Sequence, residues 1–376
     1  MAAIPSVEIE DFRCFRKLRV EGLAPVNLLV GANNAGKTAL LEAIEAVVSR
    51  DSPFLLYRAS LDRAEFRQRR GAEEDLVELD LRHWFHGHGI VEGATFRIRA
   101  MGDRELSVSW TLEAVPPNFF SPPFVPGGLC LTTKRLDGRS MPALPLTADG
   151  LLGAGAPSTF INFGLSLQPP VGFVATNRLS LKQLAQLWTN VVLTPGEQRT
   201  IDALRLVEPS IERIAISESD GTIAKVLLRG ADSPVPLGTL GEGVSRILTL
   251  ALHLARTQNG FLLIDEIENG LHWSIMPKIW QFLVEAALAG KTQIFATTHS
   301  KDWLEGLADL HRTSPDLATH VSVHRLETGR ETSVRFDAAR IAVVPIRART
   351  SATDAFGDMR GRVVYREDIL APTIDE

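Results

Sequence analysis

The chain has 376 residues, of which 45% are hydrophobic and 23% are charged, a balance typical of folded globular proteins and unlike that of disordered chains. Its net charge of −5 gives no overall attraction to nucleic-acid phosphates, although it leaves room for a local basic face. The mean hydropathy is +0.05, no apolar run reaches the ~18–20 residues of a membrane helix, the N-terminus lacks a secretory pattern and there are two cysteines, so we expect a soluble cytoplasmic protein.

The first fifty residues predict strands followed by a helix. Apolar and charged residues alternate over 7–10 and 18–20, and the mostly apolar run at 26–30 indicates a buried strand. A glycine-rich turn follows this run. Apolar residues at helical spacing then predict a helix over 38–49.

Residues 116–170 contain ten of the 21 prolines, which predicts irregular loops inserted within a domain. Long loops of this kind often carry function, so the segment is a candidate partner surface. The remaining elements follow the usual patterns of strands and helices: a strand at 171–174, helices at 180–190 and 195–206, strands at 211–217 and 222–228 with a turn at Asp220-Gly221, a buried helix at 244–255, central strands at 261–264 and 292–296, and a strand or two after Ser322.

The strongest motif lies between the strand at 26–30 and the helix at 38–49. It fits G-x-x-x-x-G-K-[ST] at every fixed position, and its nucleotide-binding residues are Gly31, Ala32, Asn33, Asn34, Ala35, Gly36, Lys37, Thr38 and Ala39. Its glycines let backbone N–H groups converge on phosphates at a helix N-terminus. Lys37 would reach the β- and γ-phosphates and Thr38 would join the Mg²⁺ shell, so ATP and Mg²⁺ are the predicted ligands. The alternative is a turn rich in glycine and asparagine that contains a lysine by chance.

Polar residues follow two of the predicted central strands. Asp265 would reach the Mg²⁺ shell, and Glu266 would polarise or deprotonate a water beside the γ-phosphate. His299 could contact the same phosphate. The alternatives are two solvated acids at a strand end and a structural histidine.

A second glycine-containing segment opens the helix at 244–255 and offers another anion-binding helix end. A flexible turn is the alternative, although it leaves the repeated phosphate-like site unexplained. The residues concerned are Leu240, Gly241, Glu242, Gly243, Ser245 and Arg246.

Together these motifs resemble ABC-class ATPase heads of the RecF, SMC and OLD (overcoming lysogenization defect) group. The segment Asp11-Phe12-Arg13-Cys14-Phe15 is similar to that group's N-terminal motif, and Asn33 and His299 match its phosphate-loop asparagine and switch histidine. Residues 265–272 resemble its Walker B strand and D-loop, the latter including Glu268 and Asn269. The signature at 240–246 resembles the OLD branch best.

The resemblance implies an α/β, two-lobed P-loop head over 1–335, with a mixed or parallel central sheet flanked by helices, an antiparallel β lobe and a helical lobe. The signature would lie in the lobe at 171–258, and the tail at 336–376 has no predicted role. Two ATP molecules would be sandwiched in a head-to-head homodimer, with the signature residues acting in trans. Gln168 is a weak candidate for the Q-loop glutamine near Mg²⁺.

Two functions fit such a head. One is the ATPase of a prokaryotic OLD-like phage-defence or toxin-control system that works through a separately encoded effector. This is favoured because the chain is acidic, has no coiled-coil arms and lacks the D-x-D pair of a Toprim nuclease. The other is a RecF-like DNA-repair clamp, and a nucleotide-gated scaffold with negligible turnover is a third, simpler possibility.

Three other features favour structural interpretations. The arginines at 58, 63, 67, 69 and 70 are interspersed with acids, which favours a solvated, salt-bridged face over a nucleic-acid surface. His83, His86 and His88 have no cysteine or paired carboxylate nearby, which favours an amphipathic turn over a metal site. Trp273 and Trp280 are expected to pack in the core or at an interface.

Overall fold

The computed structural model describes residues 3–49, 53–69, 76–102, 105–115, 128–136, 138, 143–147, 150–152, 170–217, 223–336 and 341. Gln168, Arg70, the turn at Asp220-Gly221, most of 116–170 and nearly all of the tail lie outside these residues.

The strands, in chain order, are β1 (Ser6–Phe12), β2 (Phe15–Glu21), β3 (Val26–Val30), β4 (Phe66–Arg69), β5 (Leu76–Asp80), β6 (Thr95–Met101), β7 (Leu106–Ala114), β8 (Leu129–Arg135), β9 (Leu144–Pro145), β10 (Leu151–Leu152), β11 (Val171–Val174), β12 (Ile211–Ser217), β13 (Ile223–Leu228), β14 (Val235–Pro236), β15 (Phe261–Ile264), β16 (Gln293–Thr297), β17 (Val321–Arg325) and β18 (Val334–Phe336). The helices are α1 (Lys37–Val48), α2 (Pro53–Asp62), α3 (Leu181–Thr189), α4 (Pro195–Leu204), α5 (Glu242–Arg256), α6 (Met276–Gly290), α7 (Lys301–Thr313) and α8 (Pro315–Ala318).

The chain divides into two compact units. The first comprises Met1–Leu23, Gly36–Val171 and Thr328–Ser333. It contains an antiparallel sheet of order β2-β1-β6-β7-β8-β9 and a smaller sheet of order β10-β5-β4. Helix α1 contacts β6 and β7. The alternation in β1 buries Val7 and Ile9 and leaves the intervening glutamates more exposed, as period-2 geometry requires.

The second unit comprises Ala24–Ala35, Gly172–Glu327 and Val334–Glu376. Its sheet has the order β11-β15-β16-β3-β17-β18. Strands β15, β16, β3 and β17 run parallel, while β18 is antiparallel to β17. Helices α3 to α8 and a small antiparallel sheet, β12-β13-β14, complete the unit. Strands β3, β15 and β16 are buried along their whole length, which is why they read as mostly apolar runs without alternation.

The α/β fold class is confirmed, with a parallel-rich mixed sheet and a separate antiparallel sheet. Most predicted elements are found within two residues of their expected bounds, including α1 and α5. Arg67 lies on β4, whereas Arg58 lies on α2, which ends at Asp62. Trp280 is fully buried, as expected, and Trp273 is 45% exposed, so packing at an interface stays a prediction for it. Among the described helices, none is both long enough and apolar enough to cross a membrane.

Candidate nucleotide-binding site

The glycine-rich loop adopts backbone conformations that its two fixed glycines make possible. Gly31 has φ = 147°, and a Cβ there would lie 2.5 Å from the carbonyl oxygen of Leu326. Gly36 has φ = 91°, and a Cβ there would lie 2.7 Å from Cys14 Sγ. A backbone carbonyl at one end and a side chain at the other therefore close on the loop. A larger residue at either position would displace the loop from its present course.

Helix α1 begins directly after this loop. Gly36 occupies its N-cap, where it offers no side chain to accept a hydrogen bond from the first turn. Leu40 N–H donates to the Gly36 carbonyl oxygen at 2.8 Å, so the helix is regular from its start. Lys37 is 6% exposed, and Ala39 is buried beside it. The lysine and threonine that the phosphate motif requires therefore lie at the N-terminus of α1, where the helix dipole is positive.

The carboxyl ends of β3, β16 and β15 meet at one edge of the parallel sheet. Their registers pair Leu29 with Thr297 and Ala296 with Ile264. In open α/β sheets this edge is where ligands bind. The loop from Gly31 and the acidic pair after Ile264 therefore leave the sheet on the same side, with β16 between their strands.

Asp265 is fixed at this edge by its neighbour strand. Thr297 Oγ1–H donates to Asp265 Oδ1 at 2.6 Å, and the same hydroxyl oxygen accepts from Glu266 N–H at 2.8 Å. Asp265 N–H donates to the Val174 carbonyl oxygen at 2.8 Å. One threonine thus orients the side chain of one acid and the backbone of the next.

Glu266 and His299 lie together next to Asp265. Glu266 has φ = 47°, an uncommon conformation for a residue other than glycine, and its side chain is 38% exposed. Asn269 Nδ2–H donates to Glu266 Oε2 at 3.0 Å, and His299 Nε2 lies 3.8 Å from Oε1. Glu268 in turn accepts from His299 N–H at 2.7 Å. The D-loop therefore positions both the second acid and the histidine.

The signature segment begins α5 within the same unit. Gly241 has φ = 87° and occupies the N-cap without any side-chain hydrogen bond, and both Gly241 and Glu242 are exposed. A Cβ on Gly270 of the D-loop would lie 2.5 Å from Glu242 Cγ. The signature and the D-loop are therefore packed against each other in one chain.

The side chain of Arg246 binds its own chain and does not face a nucleotide bound by a partner. It is 8% exposed, and its guanidinium donates to the carbonyl oxygens of Ala175, Asp265 and Glu266 at 2.8, 2.9 and 2.9 Å. Burial lowers the pKa of this guanidinium, while nearby carboxylates, Glu268 first, oppose that shift. Arg246 thus holds the backbone of the acidic strand end of its own chain. Sequence reasoning missed this because the partner carbonyls lie 19 to 71 positions away.

The N-terminal motif carries a second arginine that sequence reasoning left without a partner. Arg13 Nε lies 2.6 Å from Glu42 Oε2 on α1, and Nη1 lies 2.8 Å from Glu65 Oε1. Its guanidinium carbon also lies 4.6 Å from the ring centroid of Trp84. This buried arginine therefore links the turn after β1 to α1, the helix that follows the phosphate loop.

Two of the arginines that the sequence assigned to a salt-bridged face, Arg58 and Arg63, form ion pairs. Arg63 binds Glu42, and Arg58 binds both Glu45 and Asp62. Two of these acids come from α1 rather than from the acid-rich stretch near the arginines. The cluster is consequently more enclosed than a solvated surface face, since the side chains of Glu42 and Glu45 are 3% and 11% exposed.

Comparison with known proteins places both parts of this site inside family matches. The family model described as "AAA ATPase domain" matches residues 3–101, which include the phosphate loop. The model described as "AAA domain, putative AbiEii toxin, Type IV TA system" matches residues 194–302, which include the signature, the acidic pair and His299.

The chain is also similar to individual proteins. An "ATP/GTP phosphatase" of Helicobacter pylori is 23% identical over 353 residues, which are 82% of this chain and 88% of that protein. The DNA replication and repair protein RecF of Thermomicrobium roseum is 40% identical over 74 residues, covering 19% and 17% of the two chains. A solved SMC head bound to the C-winged helix domain of ScpA has 12% identity, covers 90% of this chain and 99% of that chain, and gives a TM-score of 0.49.

The two family matches and the local geometry agree on the coarse class of the protein. Each AAA model covers one of the two motif sets, and the sheet places the phosphate loop and the acidic pair at the same edge. Together they support a P-loop ATPase.

Proposed function

We propose that the chain is a Mg²⁺-dependent ATP-hydrolysing switch. The observation that carries this proposal is the arrangement at the sheet edge. Thr297 holds the Asp265 carboxylate and the Glu266 backbone, and Glu266 lies beside His299. A structural strand end would need no such shared hydroxyl and no histidine beside the second acid.

In this proposal the phosphate loop holds ATP. Lys37 and the loop amides bind the β- and γ-phosphates, while Thr38 and Asp265 hold Mg²⁺. Carboxylate and hydroxyl oxygens are the ligands that Mg²⁺ prefers, so the donor set fits this ion. Bound Mg²⁺ would neutralise charge on the β- and γ-phosphate oxygens.

Glu266 would act as the general base on the attacking water. Its partly exposed side chain leaves access for water, and Asn269 fixes one of its oxygens. His299 would donate from its ring to the γ-phosphate, since its backbone is already held by Glu268. The D-loop would therefore couple positioning of the base to that of the histidine.

Replacing Glu266 with glutamine tests this assignment. Glu266→Gln keeps the shape and the contact with Asn269 but removes the base, so ATP turnover should fall by about 10²–10⁴-fold. ATP affinity should stay near that of the wild type. Steady-state phosphate release and fluorescent-nucleotide titration measure the two quantities.

Glu285→Gln is the matched control. Glu285 is exposed on α6, and in the described structure its side chain forms one hydrogen bond, with Gln281. It should leave turnover unchanged. Wild-type turnover in Glu266→Gln would contradict the role of Glu266. Negligible turnover in the wild type itself, with intact ATP binding, would favour the nucleotide-gated scaffold.

The catalytic unit in this proposal is an ATP-bound homodimer. Leu240, Gly241, Glu242, Gly243 and Ser245 would meet the γ-phosphate bound by the partner. The start of α5 supports this arrangement, because Gly241 and Glu242 are exposed there and Glu242 lies next to the D-loop. Arg246 is assigned instead to the acidic strand end of its own chain.

The biological role proposed first is the ATPase of an OLD-like phage-defence or toxin-control system with a separate effector. The description of the model that matches residues 194–302 supports a link to toxin systems. Cells expressing the chain with its neighbouring genes should yield fewer phage plaques than cells carrying Lys37→Ala. Equal plaque numbers over a panel of phages would contradict a defence role.

A RecF-like DNA clamp is the second candidate, favoured by the 40% identity to RecF over 74 residues. It requires DNA binding that depends on ATP and weakens steeply with salt. Fluorescence anisotropy of labelled duplex DNA with Glu266→Gln, in Mg-ATP and in Mg-ADP, separates the two candidates. Binding only in Mg-ATP would favour the clamp, and no binding in either nucleotide would favour the effector-coupled ATPase.

A further inference from the structure

Two histidines of the first unit bring their ring nitrogens together on an exposed turn. His83 lies in the short 3-10 turn Leu81–Trp84, and His88 ends the next one, His86–His88. Their Nδ1 atoms are 3.3 Å apart, and the ring planes are inclined at 67°. Both side chains are accessible to solvent, that of His83 being 41% exposed.

The two nitrogens lie at a distance that allows either a weak N–H···N hydrogen bond or a ligand shared between them. Two imidazole nitrogens at 2.0–2.1 Å from one tetrahedral Zn²⁺ would be about 3.3–3.4 Å apart. Adjacent ligands of a square-planar ion at the same bond length would be only about 2.9 Å apart. The observed distance therefore matches tetrahedral zinc.

The backbone of the turn holds this arrangement at some cost. Gly87 and His88 have φ values of 78° and 59°, and a histidine in the left-handed region is uncommon. His86 Nδ1–H donates to the Arg13 carbonyl oxygen at 2.9 Å, which anchors the middle of the turn. Strained backbone of this kind persists where surrounding contacts fix it, and it concentrates at functional sites.

Asp80 supplies the support that a metal-binding imidazole usually has. Its Oδ2 lies 3.8 Å from His83 Nε2, on the side of the ring opposite to His88. Arg82 fixes this carboxylate through Nε at 2.8 Å from Oδ1. If His83 binds a metal through Nδ1, its proton is on Nε2 and faces Asp80, which is the usual second interaction of a zinc-bound histidine.

We propose that His83 and His88 form a surface Zn²⁺ site, with both Nδ1 atoms as protein ligands. The remaining positions are open to water or to a ligand from another molecule. The described residues contain no group of three or more His, Cys, Asp and Glu side chains that would close the site. A Cβ added to Gly87 or Gly89 would meet nothing within 4 Å, so there is room for such a ligand.

Calorimetric titration of the full chain with ZnCl₂ tests the site, with millimolar Mg²⁺ present to occupy hard-oxygen sites. One Zn²⁺ per chain should bind. His83→Ala and His88→Ala should each weaken binding by about tenfold or more. His320→Ala is the control, because His320 follows α8, far along the chain from this turn, and it should bind as the wild type does.

A second measurement uses the unmodified chain and does not depend on the variants being folded. In nitrogen-15 spectra of histidine-labelled protein, Zn²⁺ should shift the Nδ1 resonances of His83 and His88 more than those of the other histidines. The melting temperature should also rise with Zn²⁺, since a ligand that binds only the folded state stabilises it. No saturable uptake of one ion, or equal affinity in His88→Ala, would overturn the proposal.

Discussion

At the residue scale, Arg246 shows how one buried side chain can organise a candidate catalytic edge. Its three hydrogen bonds join α5 to the backbone of the acidic pair itself and to Ala175, which follows β11. Arg246→Ala would leave those carbonyl oxygens without this donor in a largely buried position. The free energy of unfolding should fall by about 2–4 kcal/mol, and ATP turnover should fall as well because Glu266 loses its backbone support. Urea unfolding and steady-state hydrolysis measure these effects.

Arg178→Ala is the matched control for that prediction. Arg178 pairs with Glu242 at 2.9 Å, but the two side chains are 61% and 56% exposed. An exposed ion pair contributes only about 0–1 kcal/mol, so this variant should unfold almost as the wild type does. Similar losses in both variants would show that Arg246 has no special role at the strand end.

At the element scale, Glu45 of α1 and Arg58 of α2 form a largely buried ion pair, and its contribution to stability should depend on pH. Burial raises the pKa of Glu45 to about 7, outweighing the opposite effect of Arg58. Glu42 and Asp62 add to the rise, and Arg13 and Arg63 are the other charged groups bound to this cluster. Between pH 4.5 and 7 the unfolded chain therefore releases a proton that the folded chain retains. The stability associated with Glu45 is complete below pH 4.5 and is lost as pH rises through 7.

Glu45→Gln should remove this dependence. The unfolding free energy of the variant, relative to that of the wild type, should increase by on the order of 1–3 kcal/mol between pH 4.5 and pH 7.5. Urea unfolding at several pH values measures the difference, with the exposed Glu285→Gln as the control. A difference that does not change with pH would contradict the assignment of the titration to Glu45.

The elements also show which features of the fold and site the sequence could predict and which it could not. The phosphate loop and the strand at 261–264 were predictable because their signals lie within about ten consecutive residues. The pairing of β1 with β6 joins residues about ninety positions apart, and nothing in either strand specifies its partner. Arg13 with Glu42 and Arg246 with its carbonyls belong to this second kind. The sequence predicted that Trp273 and Trp280 pack in the core or at an interface. Trp273 is exposed in the single chain, because the residues before α6 form a separate 3-10 turn.

At the scale of the whole molecule, the proposed trans arrangement makes a prediction that no single variant can test. In such a two-fold dimer, each composite site combines the phosphate loop of one chain with the signature of the other. Lys37→Ala and Ser245→Arg should each be inactive alone. In a mixed dimer, one site carries both defects and the other carries none.

Mixing equal amounts of the two variants in Mg-ATP should therefore restore about a quarter of wild-type turnover, because half of the randomly formed dimers have one intact site. Light scattering on Glu266→Gln should show a doubling of mass in Mg-ATP that is absent in Mg-ADP. If the signature acted within its own chain, every site in the mixture would retain a defect and turnover would stay at background. Recovery on mixing thus distinguishes a shared site from two independent ones, since both variants are present in either case.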